Sequence, residues 1–186
     1  MTAPPAGVPC HPVAEAQWSM QRSGFLEQRC MEILLAWVWT TGDLDCKLEF
    51  GLHAWQDSLH ADRFLQRAGE LRPALPPYGW EPRPLALAPL DVFCRELAQA
   101  SDLLQKLSGL YCVLKPWLLA SYEQYYATAD PILEGPTVQL LEGLIPEERR
   151  QIAWGQAMLE RRLAAAPESQ TEAARWQASL EQRLRD

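Results

Sequence analysis

The stretch LEQRCMEILLAWVWTTGDLDCKLEFGLHAWQDSLH, residues 26–60, decides the fold class. Leu26, Cys30, Ile33, Leu34 and Trp37 recur at helical spacing and form the apolar stripe of an amphipathic helix. That helix ends near Thr40, Thr41, Gly42 and Asp43, where glycine interrupts the run and Asp43 is placed to cap a second helix. Leu44, Leu48, Leu52, Trp55 and Leu59 repeat with the same period, so they are expected on the core face of a second helix reaching about Arg72. A loop this short makes the two helices antiparallel neighbours.

Further out the period stays helical. Residues 73–90 hold six prolines (Pro73, Pro76, Pro77, Pro82, Pro84, Pro89) and read as a long crossover, neither helix nor central strand. Asp91 is placed to cap a third helix through Phe93, Leu97, Leu104, Leu107, Leu110, Val113, Leu114, Trp117 and Leu118 to about Tyr126, kinked at Pro116. A turn over 127–136 leads to a fourth helix from Thr137, with Leu141, Leu144, Ile145, Ile152, Gly155 and Leu159 on one face and a bend at Pro146. Pro167 opens a C-terminal amphipathic helix carrying Ala173, Trp176, Leu180 and Leu184. No segment alternates with period 2. The expected class is all-α: a proline-rich flexible arm over 1–16, a four-helix bundle over 17–165 with the crossover between its second and third helices, and an extra helix over 166–186.

Composition narrows the function. The 186 residues are 48% apolar and 22% charged, ordinary values for one globular domain. Twenty-four acids against 17 Lys plus Arg leave a net charge of −7, which excludes the basic face that nucleic acid requires. Apolar runs such as Ile33 to Trp39 fall far short of the ~20 residues that span a bilayer. The first twenty residues carry no basic start and no apolar run, so no export is expected. Five cysteines (Cys10, Cys30, Cys46, Cys94, Cys112), odd in number and without a CxxC pair, suggest reduced thiols packed as small apolar residues in a cytoplasmic protein.

Polar residues on apolar faces single out a site. Glu148 interrupts the series 141, 145, 148, 152, 155, 159, otherwise Leu, Ile, Ile, Gly and Leu, and so points inward. Glu27 has Gly24, Cys30, Met31 and Leu34 as helical neighbours and faces inward too, whereas Glu32 sits beside Gln28 and Arg29 and reads as solvated. Glu49, His53, Asp57 and His60 follow at i, i+4, i+8 and i+11 along one side of the second helix. Asp57 and His60, about 4.5 Å apart in rise and about 60° in rotation, can share one ion. Buried carboxylates require compensation, either by iron or manganese, which mixed carboxylate and imidazole ligands suit, or by hydrogen bonds from His, Arg or Tyr across the bundle with no metal. His53 reads as a core histidine or an outer hydrogen-bonding group. Tyr122, Tyr125 and Tyr126 read as packing or as a relay beside a metal, and Trp80 in the crossover as a lid or pocket wall.

The stretches EFGLHAWQDSLHADRFLQRAGELR (49–72), LYCVLKP (110–116) and PTVQLLEGLIPEERRQIAWG (136–155) resemble a bacterial ferritin-like group, and the wider pattern over residues 17–165 is similar to the ferritin-like superfamily of carboxylate four-helix bundles. The resemblance implies metal ligands at Glu27, Asp57, His60, Glu123 and Glu148, with His53, Gln151 and Glu49 around them. It also implies iron or manganese, one or two ions, and oxidase or oxygenase chemistry on a small molecule. Two departures point to a degenerate centre: Asp57 stands where the superfamily usually has Glu, and Gln151 stands where the second Glu-x-x-His would place its histidine. The competing expectation is a metal-free bundle serving ligand or protein binding. Iron storage fits less well, given the crossover and the missing histidine.

Overall fold

A computed structural model of the chain describes residues 11–71 and 84–185. Among these every regular element is a helix: α1 (Val13–Thr40), α2 (Leu44–Glu70), α3 (Pro84–Ala98), α4 (Leu103–Leu107), a π-helical segment (Ser108–Leu114), α5 (Lys115–Thr128), α6 (Gly135–Ala165), a 3-10 turn (Pro167–Ser169) and α7 (Gln170–Arg185). The all-α class is therefore correct. None of these helices is long and apolar enough to cross a membrane. Residues 1–10 of the expected arm, most of the crossover and Trp80 lie outside the described residues.

The expected junction between the first two helices is present. Asp43 caps α2, its side chain accepting from the Cys46 amide at 2.9 Å. The α1 and α2 helices pack antiparallel: Trp37 meets Phe50 near the loop, and Gly24 sits against Ala61 and Leu65 at the far end. The α1 helix starts at Val13, inside the expected 1–16 arm, and Ala16 is already buried, so residues 13–16 belong to the helix.

The core face of α2 is the opposite of the one expected. Leu44, Leu48, Leu52, Trp55 and Leu59 are 65%, 64%, 46%, 60% and 36% exposed, while Cys46, Phe50, His53, Asp57, His60 and Phe64 are buried. Both faces repeat at the helical period, and periodicity groups residues on a face without saying which face meets the neighbours. Because the outer stripe contacts water, Leu52→Ser should change stability by less than about 0.5 kcal/mol, whereas Phe64→Ala should cost about 3–5 kcal/mol, both read from urea denaturation. A larger loss for Leu52→Ser than for Phe64→Ala would reverse the assignment of the faces.

The single third helix also resolves differently. The α3 helix starts at Pro84, inside the expected crossover, because proline is tolerated in a first turn whose amides have no helical partner; Pro89 lies further inside. Asp91 is then mid-helix and pairs with Arg29 and Arg95 instead of capping. The helix stops at Ala98, and Asp102 starts α4 by accepting from the Gln105 amide at 2.9 Å. The kink expected at Pro116 takes the form of the π segment just before it, where the Lys115 amide reaches the Leu110 carbonyl, five residues back. Leu107, Leu110, Val113, Leu114 and Leu118 are buried, as expected, and so are Leu141, Leu144, Ile145, Ile152, Gly155 and Leu159 of α6. Tyr111 presses on α6 so closely that a side chain at Gly155 would collide with its ring, with a Cβ only 2.0 Å from the ring carbon Cγ. The α7 helix closes over the π segment, Trp176 donating to the Gln105 carbonyl at 3.1 Å.

Candidate metal centre

Three helices direct polar side chains into one buried volume. Glu27 (α1), Asp57 and His60 (α2) and Glu148 (α6) are each 0% exposed, and they offer ligand atoms that all lie within 4.8 Å of one another. Asp57 and His60 reach it together because three residues of helix place them on one side of α2. Four of the expected ligands thus converge.

Glu123 does not join them. Its side chain is 41% exposed and pairs with Arg149 at 2.6 Å, since one residue past the inward Tyr122 the helix has turned by about 100°. His53 and Glu49 lie further along α2 and face each other at 3.6 Å; His53 Nδ1 is 2.7 Å from the Tyr111 hydroxyl. With Tyr111 donating, the Nε2 proton of His53 faces Glu49. Gln151 does border the cluster, donating to Asp57 Oδ1 at 3.1 Å and to Gln56 at 3.0 Å.

The residue that changes the chemistry is Lys115, at the start of α5 where the π segment ends. It is 0% exposed, and its Nζ donates to Asp57 Oδ1 at 3.0 Å and to both Glu148 oxygens at 3.1 and 3.2 Å. A cation placed there answers the desolvation of two carboxylates at once. Two more residues complete the surround. Tyr122 donates to Glu27 Oε1 at 2.7 Å, and Glu147, 31% exposed, lies 2.9 Å from His60 Nε2. The sequence carried a signal for Lys115: it is the one charged residue in the run Leu107 to Ala120, inside a stretch whose neighbours are buried. Glu147 had none, because its role depends on the His60 ring across 87 residues of chain.

The electrostatics follow from burial opposed by these neighbours. Burial works against the Lys115 charge, but Asp57 and Glu148 outweigh it and hold the ammonium protonated well above its ordinary range. Burial pushes Asp57 up to about 7 despite Lys115. Glu148 goes the other way: burial would raise it, but Lys115 and His60 hold it below the usual carboxylate value. His60 is raised to about 10, burial being overcome by Glu148 and Glu27. His53 is lowered to about 3 by burial first and the Lys115 charge second. Burial, with the Glu27 charge behind it, keeps Tyr122 a phenol and therefore a donor.

Glu27 Oε2, Asp57 Oδ2 and His60 Nδ1 are buried and have no hydrogen-bond partner. His60 Nδ1 stands 3.3 Å from Glu148 Oε1 and 3.7 Å from Glu27 Oε2, ion-pair distances without hydrogen-bond alignment. Unpartnered buried polar atoms are costly and rare. Three oxygens and one imidazole nitrogen facing one point suit iron or manganese, and a carboxylate on the far nitrogen of the ring, as Glu147 is, orients a metal-binding histidine. Lys115 Nζ sits between Asp57 and Glu148. Family models, curated proteins and solved structures were each compared with the chain, and none matches it.

Proposed function

We propose that the chain is a ferritin-like bundle that holds one iron or manganese ion between Glu27, Asp57, His60 and Glu148 and serves oxidation of a small molecule. The observation that supports it is the set of three unpartnered buried atoms on Glu27, Asp57 and His60 gathered beside Glu148. In this reading the Lys115 ammonium replaces the second cation of a two-ion centre. Gln151 is consistent with that loss, since it hydrogen-bonds Asp57 where an imidazole would otherwise ligate. A bound iron or manganese ion would supply one-electron and dioxygen chemistry. The chain's own residues do the rest: Glu147 orients the His60 ring, Lys115 keeps Glu148 ionised, and full burial keeps bulk water from the ligands.

A second reading has its own support. Lys115 engages both Glu148 oxygens, so the core is already partly neutralised without any ion, and a metal-free polar core in a binding module follows from that contact. The two readings separate in a single set of measurements. Protein purified without chelators should carry up to one iron or manganese per chain by elemental analysis, and manganese(II), or iron(II) added without oxygen, should raise the melting temperature of the apo form. His60→Gln should abolish both effects while leaving helical circular dichroism. Absence of metal together with no thermal shift from either ion would leave the metal-free bundle as the function.

A further inference from the structure

Beside the buried cluster, between the N-terminal half of α1 and the C-terminal half of α5, lies a cavity of about 230 Å³ lined among others by Ser19, Arg22, Ser23, Ser121, Tyr122 and Gln124. Its position is set by the helical period. Ser19, Arg22 and Ser23 stand at i, i+3 and i+4 and so share one face of α1, and Glu27 follows one turn beyond Ser23 on the same helix. Tyr122 is the wall between the two volumes: it lines the cavity, and its hydroxyl is bonded to Glu27.

The cavity holds a positive charge with no counter-charge. The Arg22 guanidinium rests over the Trp117 ring at 4.7 Å and forms neither an ion pair nor a hydrogen bond with any described residue. The hydroxyls of Ser19 and Ser23 likewise have no hydrogen-bond partner among the described residues, although Ser23 is only 9% exposed. Arg29, Arg67, Arg95, Arg149, Arg162 and Arg183 find carboxylates, and Arg63, Arg150, Arg161 and Arg175, which do not, are exposed to water, whereas Arg22 is half-buried. A planar guanidinium with two adjacent hydroxyls matches the two oxygens of a carboxylate, and the aromatic face beneath it keeps the fork in place. A cavity of ~150 Å³ accommodates a benzene ring, so this one has room for a single ring with its acid group.

We infer that the Arg22 cavity is a binding site for a small carboxylic acid of up to one ring. Arg22 takes the carboxylate, with Ser19 and Ser23 as further donors, and the body of the acid lies against Tyr122. As an anion site the cavity stands on Arg22 alone; as the substrate pocket of the ion centre it rests on the function proposed above.

Benzoate is a suitable probe, with benzamide as its neutral isostere and inorganic phosphate as the competing oxyanion. Benzoate titrated into the full chain should bind saturably by calorimetry and perturb the fluorescence of Trp117, with benzamide at least tenfold weaker. Arg22→Gln should weaken benzoate at least tenfold, and Ser19→Phe, at a partly exposed position, should block the cavity without touching the core. Manganese(II) binding to Arg22→Gln should equal that of the wild type. Loss of metal binding in every form, with benzoate binding intact, would remove the ion centre and leave the acid site standing. No saturable benzoate binding, equal affinity in Arg22→Gln, or phosphate binding as tightly as benzoate would each overturn the assignment, the last by making this a general oxyanion site.

Discussion

Lys115→Met should cost about 3–5 kcal/mol of stability at neutral pH, the usual penalty for removing one partner of a buried ion pair. Asp57 and Glu148 are both fully buried, and Lys115 supplies three of the hydrogen bonds they accept. Methionine fills similar volume, so the loss reads charge and not a cavity. The pH dependence has a definite sign. The Asp57 carboxyl, ordinarily near 3.8, is raised to about 7 in the fold, so its favourable contribution is complete below 3.8 and is lost as pH rises through 7. Without Lys115, which opposes that rise, its folded value should move higher still, and Glu148 should rise from its depressed value. Urea denaturation should therefore show the variant closest to the wild type near pH 5 and furthest from it near pH 8. Manganese(II) should also stabilise the variant more than the wild type, because the position between Asp57 and Glu148 becomes open to a cation. A cost below about 1 kcal/mol at pH 7 would show that the carboxylates do not depend on the ammonium.

The second large effect comes from His53. Its imidazole is 4% exposed, hydrogen-bonded to Tyr111, and packed edge-on against Trp154 at 5.1 Å, with Glu49 at its other nitrogen and the Lys115 charge nearby. Burial and that charge lower it from 6.5 to about 3. A histidine held neutral contributes fully above 6.5, and its contribution is lost as pH falls towards 3, because the unfolded chain takes up a proton that the folded chain refuses. Across that window the loss is on the order of 4–5 kcal/mol, at about 1.4 kcal/mol per pH unit. His53→Gln should be less stable than the wild type at pH 7, having lost the Tyr111 hydrogen bond, and the two should converge as pH falls from 6.5 towards 4. Stability curves that run parallel from pH 7 to pH 4 would show that His53 is protonated at little cost in the fold.

Much of the architecture was legible because helices announce themselves locally. The stripes of α1 and α6, the Asp43 cap, the C-terminal helix after Pro167 and the inward turn of Glu27 and Glu148 all follow from spacings within one segment. Local signals failed where two of them competed. Asp91 reads as a cap, yet it lies inside α3, paired with Arg29, and Asp102 is the residue that caps α4. Pro84 reads as a helix breaker in a run of prolines, yet it opens a helix.

By itself the sequence determined that the chain is helical, roughly where most helices lie, and which side chains of each helix share a face, because the 3.6-residue period is a property of consecutive residues. It also named Glu27, Asp57, His60 and Glu148, since each interrupts or accompanies a buried face. Only the tertiary structure decided that α2 turns its leucine stripe outward, that Lys115 enters the carboxylate cluster, that Glu147 backs His60 and that Glu123 stays at the surface. Those outcomes depend on groups 26 to 87 residues apart meeting where charges must find partners, and no local period encodes such meetings.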